Sequence, residues 1–138
     1  AVAALPLFRT SSRYYAGLVE VTYKAHIGDK TQWRAMLKGE PDWVDLQLLA
    51  NELQDKVQPE IVAIQQQFGL QSVQACEAEL FSLRFPVVEY PEKVSSLNFD
   101  KTREISGVLK GIKGQYLILD SGVLNIRKFG GYHVTISY

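Results

Sequence analysis

The spacing of apolar positions changes once along this chain, near residue 73. Before it the period is mainly helical. Ser11 and Ser12 can each cap a helix through a hydroxyl. Tyr14, Leu18, Val21 and Ala25 then recur at helical spacing, widened by Tyr15 and Val19. A strand competes for the same residues, since Val19, Val21, Tyr23, Ala25 and Ile27 alternate with Glu20, Thr22, Lys24 and His26. The serine cap and the Glu20–Lys24 pair at i,i+4 favour a helix to about His26. Asp29-Lys30-Thr31-Gln32 reads as a capping box. Trp33, Met36 and Leu37 share a face beyond it. Gly39 can end that helix in a left-handed conformation, and Pro41 prevents its continuation. A third helical segment starts at Asp42, with a stripe of Leu46, Leu49, Leu53 and Val57. Ile61, Ile64 and Phe68 continue the stripe past Pro59, which should kink or split the segment, and Gly69 closes it. Gln65, Gln66 and Gln67 form a short polar face.

From Val73 the period is two. Phe81, Leu83 and Phe85 alternate with Ser82 and Arg84 in a strand ending at Pro86, and 86–100 is extended and loop-like. Four strands are expected over about 105–112, 115–119, 123–128 and 132–138. Asp120-Ser121-Gly122 and Gly130-Gly131 serve as hairpin turns. Helices followed by strands predict an α+β fold. N-terminal helices would pack on a C-terminal antiparallel sheet or a small, partly closed barrel. Residues 1–138 read as a single domain, with a helical part over 11–69 and a β-rich part over 73–138.

Composition is that of an ordinary globular domain of 138 residues. No apolar run is long enough to span a membrane as a helix, and no signal peptide is seen at the start. The lone Cys76 points to a reducing, cytoplasmic setting. The opening AVAALPLF is apolar and lacks methionine, so the chain is expected to be the C-terminal part of a longer protein. Its total charge is zero but uneven. Residues 101–138 hold Lys101, Arg103, Lys110, Lys113, Arg127 and Lys128 against Glu104 and Asp120, a net of +4. An anionic partner, or simple attraction to the acidic half, would account for this.

Candidate chemistry concentrates in GVLKGIKGQYLILDSGVLNIRKFGGYHVTISY, from Gly107 to Tyr138. Lys110, Lys113, Arg127 and Lys128 sit on or beside turns, with Tyr116, Phe129 and Tyr132 interleaved. Basic groups neutralise phosphates and exposed aromatics stack bases, so Lys110, Lys113, Tyr116, Arg127, Lys128 and Tyr132 are the candidate nucleic-acid contacts. Core packing competes for Tyr116 and Phe129. Gly111-Ile112-Lys113-Gly114 lacks the spacing of a phosphate loop, and its glycines read as turns. His26 and His133 have no partner at metal spacing: His26 suits the end of the first helix, and His133 suits a solvent-facing strand position. Asp29 reads as a cap, Trp33 as packing, and Arg34 as a stem covering apolar surface. No catalytic residue can be assigned.

GIKGQYLILDSGVLNIRK, together with LRFPVVEYP, SRYYAGLVEV, DKTQWRAMLKG and AALPLFRT, resembles a family of bacterial proteins catalogued as a domain of unknown function. The resemblance covers nearly the whole chain. It implies further sequence upstream, with cysteines suited to zinc. It also implies a segment similar to the strand–arginine part of GIY-YIG nucleases just before residue 1. On that likeness Glu20 would match the helix glutamate that binds the catalytic metal. Tyr14 and Tyr15 would not be the active-site tyrosines, and the fragment would be inactive alone. No cofactor is then expected in this fragment, and a divalent metal only in the full-length protein. The leading expectation is a nucleic-acid-associated module that partners the upstream part of its own polypeptide. The rival is a structural or protein-interaction domain.

Overall fold

The computed structural model describes residues 2–28, 30–77 and 79–138. They form three α-helices, seven short strands and two 3₁₀ turns, a mixed α+β content, all pairings between strands being antiparallel. The residues sort into two compact units that alternate along the chain: Val2–Thr31 with Asp42–Leu83, and Gln32–Pro41 with Arg84–Tyr138.

The first unit holds β1 (Val2–Ala4), β2 (Phe8–Thr10), α1 (Arg13–Lys24), α3 (Leu46–Phe68), β3 (Val73–Ala75) and β4 (Phe81–Leu83). The second holds α2 (Trp33–Met36), β5 (Leu109–Lys113), β6 (Tyr116–Leu119) and β7 (Gly122–Asn125).

Helix α1 settles the competition over residues 19–27. Ser12, in an extended conformation, accepts a hydrogen bond from Tyr15 N through its side chain. The cap satisfies an orphan donor and starts a helix before the alternating pattern can act. Helix α3 starts four residues later than expected. Asp45, rather than Asp42, accepts from Leu48 N at 3.0 Å. The helix then runs unbroken through Pro59 for 23 residues to Gly69, whose φ of 96° suits only glycine readily. Its buried face is Ala50, Val57 and Ile61, with Leu53 and Ile64 half-buried, while Leu49 is exposed. Val57, Ile61, Leu53 and Ile64 pack with Tyr23 of α1, Val73 of β3, and Leu7 and Phe8. Burial of each aliphatic side chain contributes about 1.5–3 kcal/mol. The polar run 65–67 also takes part: the Gln65 amide donates to the Val73 carbonyl at 2.7 Å and pins β3 to α3.

The second unit has an open three-stranded sheet in the order β5-β6-β7, not a closed barrel. The helix that packs with these C-terminal strands is α2, while α1 and α3 build their core with β3. Leu37, Ile118 and Val123 are its buried centre, flanked by Trp33, Met36, Val87, Tyr90 and Tyr116. Helix α2 follows Gln32, whose side chain makes no cap hydrogen bond, and Leu37 just past its end is right-handed. Gly39 therefore does not end it in a left-handed conformation. The expected cap, Asp29, lies outside the described residues.

Three expected strands differ: 123–128 ends at Asn125. Leu109–Lys113 is shorter than 105–112 implied, and 132–138 forms no strand. Beyond β7 the chain turns into a 3₁₀ segment, Ile126–Phe129, because the Asn125 side chain accepts from Arg127 N. Gly130 and Gly131 follow that turn and do not join strands.

Candidate functional site: the glycine-rich run

Glycines 111, 114 and 122 shape the sheet. Lys113 pairs with Tyr116, leaving a two-residue loop whose first member, Gly114, has φ 58°. A glycine there suits the primed turns that match strand twist. At Gly111 another segment comes close. Ile112 N donates to the Pro86 carbonyl and Val88 N to the Lys110 carbonyl. An added Cβ at Gly111 would lie 2.8 Å from Val87 Cα. The absent side chain lets 86–88 run alongside β5. Neither glycine cradles a ligand.

Lys113 is the main departure from the sequence reading. It is the largest fully buried side chain, 1% exposed. Its ammonium donates to the Met36 and Gly39 carbonyls, each at 2.9 Å, and to the Tyr90 hydroxyl at 3.2 Å. Tyr90 in turn donates to the Glu40 carboxylate at 2.9 Å. The Tyr90 ring centroid lies 4.8 Å from the ammonium. Lysine on β5 thus caps the last carbonyl of α2, at Met36, and holds the Gly39 carbonyl of the turn beyond it, and Tyr90 links its charge to a carboxylate. Burial pushes the ammonium below the ordinary lysine pKa. The sequence reading placed Lys113 among the nucleic-acid contacts; in the structure its ammonium is turned inward onto these three acceptors.

Tyr116 is also engaged. Its ring stacks on Trp33 at 5.7 Å and 4°, and the Arg34 guanidinium lies 4.4 Å from the Trp33 ring centroid. Lys110 pairs with Glu89 at 3.0 Å. Lys128 and Tyr132 do come together. Lys128 lies 3.8 Å from Asp100, and the Tyr132 hydroxyl donates to the same carboxylate at 2.6 Å. That bond and the Asp100 charge push the Tyr132 phenol up. Phe129 is buried and touches Phe99 and Tyr132 edge-on. Arg127 is exposed. Lys128 and Tyr132 meet at a carboxylate, which opposes a phosphate rather than inviting one.

In the first unit, Glu20 lies on α1, 3.5 Å from Lys24. It lines a depression of about 290 Å³ with Leu7, Phe8, Thr10, Ala16, Val19 and Tyr23. Among the described residues no group of three His, Cys, Asp or Glu side chains is arranged to hold a metal ion. Glu20 has one carboxylate and a lysine for company, which does not fit a divalent cation. Tyr23 is buried, its hydroxyl lacks a partner among the described residues, and burial pushes its phenol up. His26 lies just past α1, and both His26 and His133 are exposed.

Sequence reasoning missed Tyr90 and Glu40, the outer members of the lysine network. No local signal marks them: Glu40 is 50 residues from Tyr90.

Fold and site together define a mixed α+β chain in which the strands of the glycine-rich run, with buried Lys113, Ile118 and Val123, are internal framework. The chain belongs to the family of proteins of unknown function DUF2797, whose profile matches residues 1–134. No curated protein and no solved structure matches it. No helix among the described residues is long and apolar enough to cross a membrane.

Proposed function

We propose that this is a structural and protein-interaction domain without a catalytic role, working in the cytoplasm. The observation that carries this reading is the β1–β4 ribbon. Val2 pairs with Leu83 and Ala4 with Phe81, so these four share one face, opposite Ala3 and Ser82. Phe81 and Leu83 are 57% and 59% exposed, and neighbouring Leu80 is 55% exposed. The sequence suggests an apolar patch at residues 2–8. Leu5, Pro6, Leu7 and Phe8 are half-buried, and the exposure falls instead on the partner strand. A two-stranded ribbon is marginal in water and presents unpaired edges, so it gains from an added strand or an apolar cover.

The rival nucleic-acid reading, with a GIY-YIG relation and a metal role for Glu20 in a longer protein, draws on the net +4 of residues 101–138. Lys113 and Tyr116 are packed within the chain and Lys110 is paired with Glu89 at the surface, which leaves Arg127 and Lys128, with exposed Lys101 and Arg103, to carry it. A titration with short DNA and RNA at low salt separates the two. We expect no salt-dependent binding; binding weakened by Arg127→Ala with Lys128→Ala would restore the rival. The companion variant Phe81→Ser with Leu83→Ser should leave stability within about 0.5 kcal/mol, as for a surface row awaiting a partner. A loss of several kcal/mol would mean the row is used within the chain.

A further inference from the structure

Residues 132–138, YHVTISY, carry the alternation of a strand yet pair with nothing. Their apolar row is open: Tyr132 is 53% exposed, Val134 49%, Ile136 78%, and Tyr138 fully exposed. The segment starts from a fixed point, since Tyr132 is held by Asp100 and by the Phe129 ring at 5.4 Å. It contains no Asp, Glu, Lys or Arg. Charges and prolines that commonly blunt an edge are therefore missing.

The order of residues also identifies the occupant. Written backwards, YHVTISY becomes YSITVHY, which repeats the chemistry position by position. Placed antiparallel to itself about Thr135, the segment sets Tyr132 opposite Tyr138 and Val134 opposite Ile136. His133 faces Ser137, and Thr135 faces its own copy. Aromatic, β-branched and threonine pairs of this kind are the favourable cross-strand contacts. The operator is a two-fold axis through Thr135, the symmetry of an isologous dimer.

We propose that residues 132–138 bind the same segment of a second copy of this chain as an antiparallel two-stranded pair. The proposal rests on the interaction-domain reading but uses a different segment from the β1–β4 ribbon. Its failure leaves the ribbon, and the oligonucleotide titration, to be judged separately. Two seven-residue strands bury less than a standard interface, so the dimer is weak and forms at high protein concentration.

Sedimentation of the whole chain up to about 1 mM, a range that populates weak interfaces, tests this. Wild type is expected to pass from monomer to dimer. Val134→Lys with Ile136→Lys places like charges opposite one another and should abolish the dimer. Val134→Lys with Ile136→Glu places opposite charges there and should recover it by roughly tenfold in affinity over the doubly basic variant. In a Cys76→Ser background, Thr135→Cys should cross-link under mild oxidation, because facing Cα atoms in either antiparallel pair type lie within disulfide range. His133→Cys should not, because it faces Ser137. All four positions are exposed, so an unchanged urea midpoint verifies folding. A monomer at every concentration, a dimer that survives the doubly basic change, equal cross-linking of both cysteine variants, or growth beyond a dimer would overturn the proposal.

Discussion

Lys113→Met should destabilise the domain by about 2–4 kcal/mol, while Lys110→Met, three residues away, should cost under about 1 kcal/mol. Both remove one positive charge from the same motif. Their difference follows from what each ammonium touches. At Lys113 the change leaves the Met36 and Gly39 carbonyls and the Tyr90 hydroxyl without their donor. A half-buried acceptor without a partner costs far more than a missing surface contact. At Lys110 the change removes an ion pair whose glutamate stays well hydrated. Urea unfolding, with an unchanged slope, measures both. Equal costs would contradict the network.

The same variant predicts a pH dependence. Burial lowers the Lys113 pKa in the folded state. Between that value and the unfolded value of about 10.4 the unfolded chain binds more protons, so stability rises with pH. The methionine variant lacks this rise, and the gap between the two proteins should widen as pH increases. Tyr23 and Tyr132, whose pKa values are raised, contribute stability that is lost in alkali as unfolded phenols ionise near pH 10. That loss is common to both proteins and cancels in the comparison.

Gly122→Ala is the second large effect, expected at about 2–5 kcal/mol from strain plus overpacking. Gly122 has φ 149°, a region essentially reserved for glycine. Its missing side chain is also required. A Cβ would lie 2.7 Å from the Ser95 carbonyl oxygen and 2.9 Å from Leu97 Cγ. There the segment 95–97 crosses β7, with Val123 N donating to Ser95 O and Leu97 N donating to Val123 O, each at 2.8 Å. Alanine would force this crossing apart beside buried Val123. Gly114→Ala is the matched comparison. Gly114 also has positive φ, but nothing lies within 4 Å of an added Cβ, so only the backbone cost of about 1–2 kcal/mol applies. Thermal or urea unfolding of the pair should place Gly122→Ala well below Gly114→Ala.

These two residues show where sequence reading succeeds and where it stops. Local chemistry was legible. Ser12 captures a backbone N–H three residues on, and Gly69 and Gly114 take backbone angles that other residues resist. Such signals need only neighbours. Lys113 was not legible, because a lysine on a strand reads as solvated unless its acceptors are known. Those acceptors are backbone carbonyls 77 and 74 residues away, and every residue type has one. Trp33 reads as packing and Tyr116 as either a base platform or core, but their mutual stacking joins elements far apart in sequence. Residues 132–138 failed in the opposite direction. Their alternation is a true strand signal, but a strand also needs a partner, and the Asn125 turn sends the chain away from β7.

The motif lysine serves as internal framework, with its ammonium turned onto backbone carbonyls and away from solvent. Acylation of lysine amines in the folded domain, followed by mass spectrometry, tests it most directly. Lowered basicity would quicken an accessible amine, so slow reaction reports burial. Lys113 should be modified last, well after Lys110 and Lys128, and should join them on unfolding in urea. Modification of Lys113 in the folded domain as fast as Lys110 and Lys128 would contradict the claim.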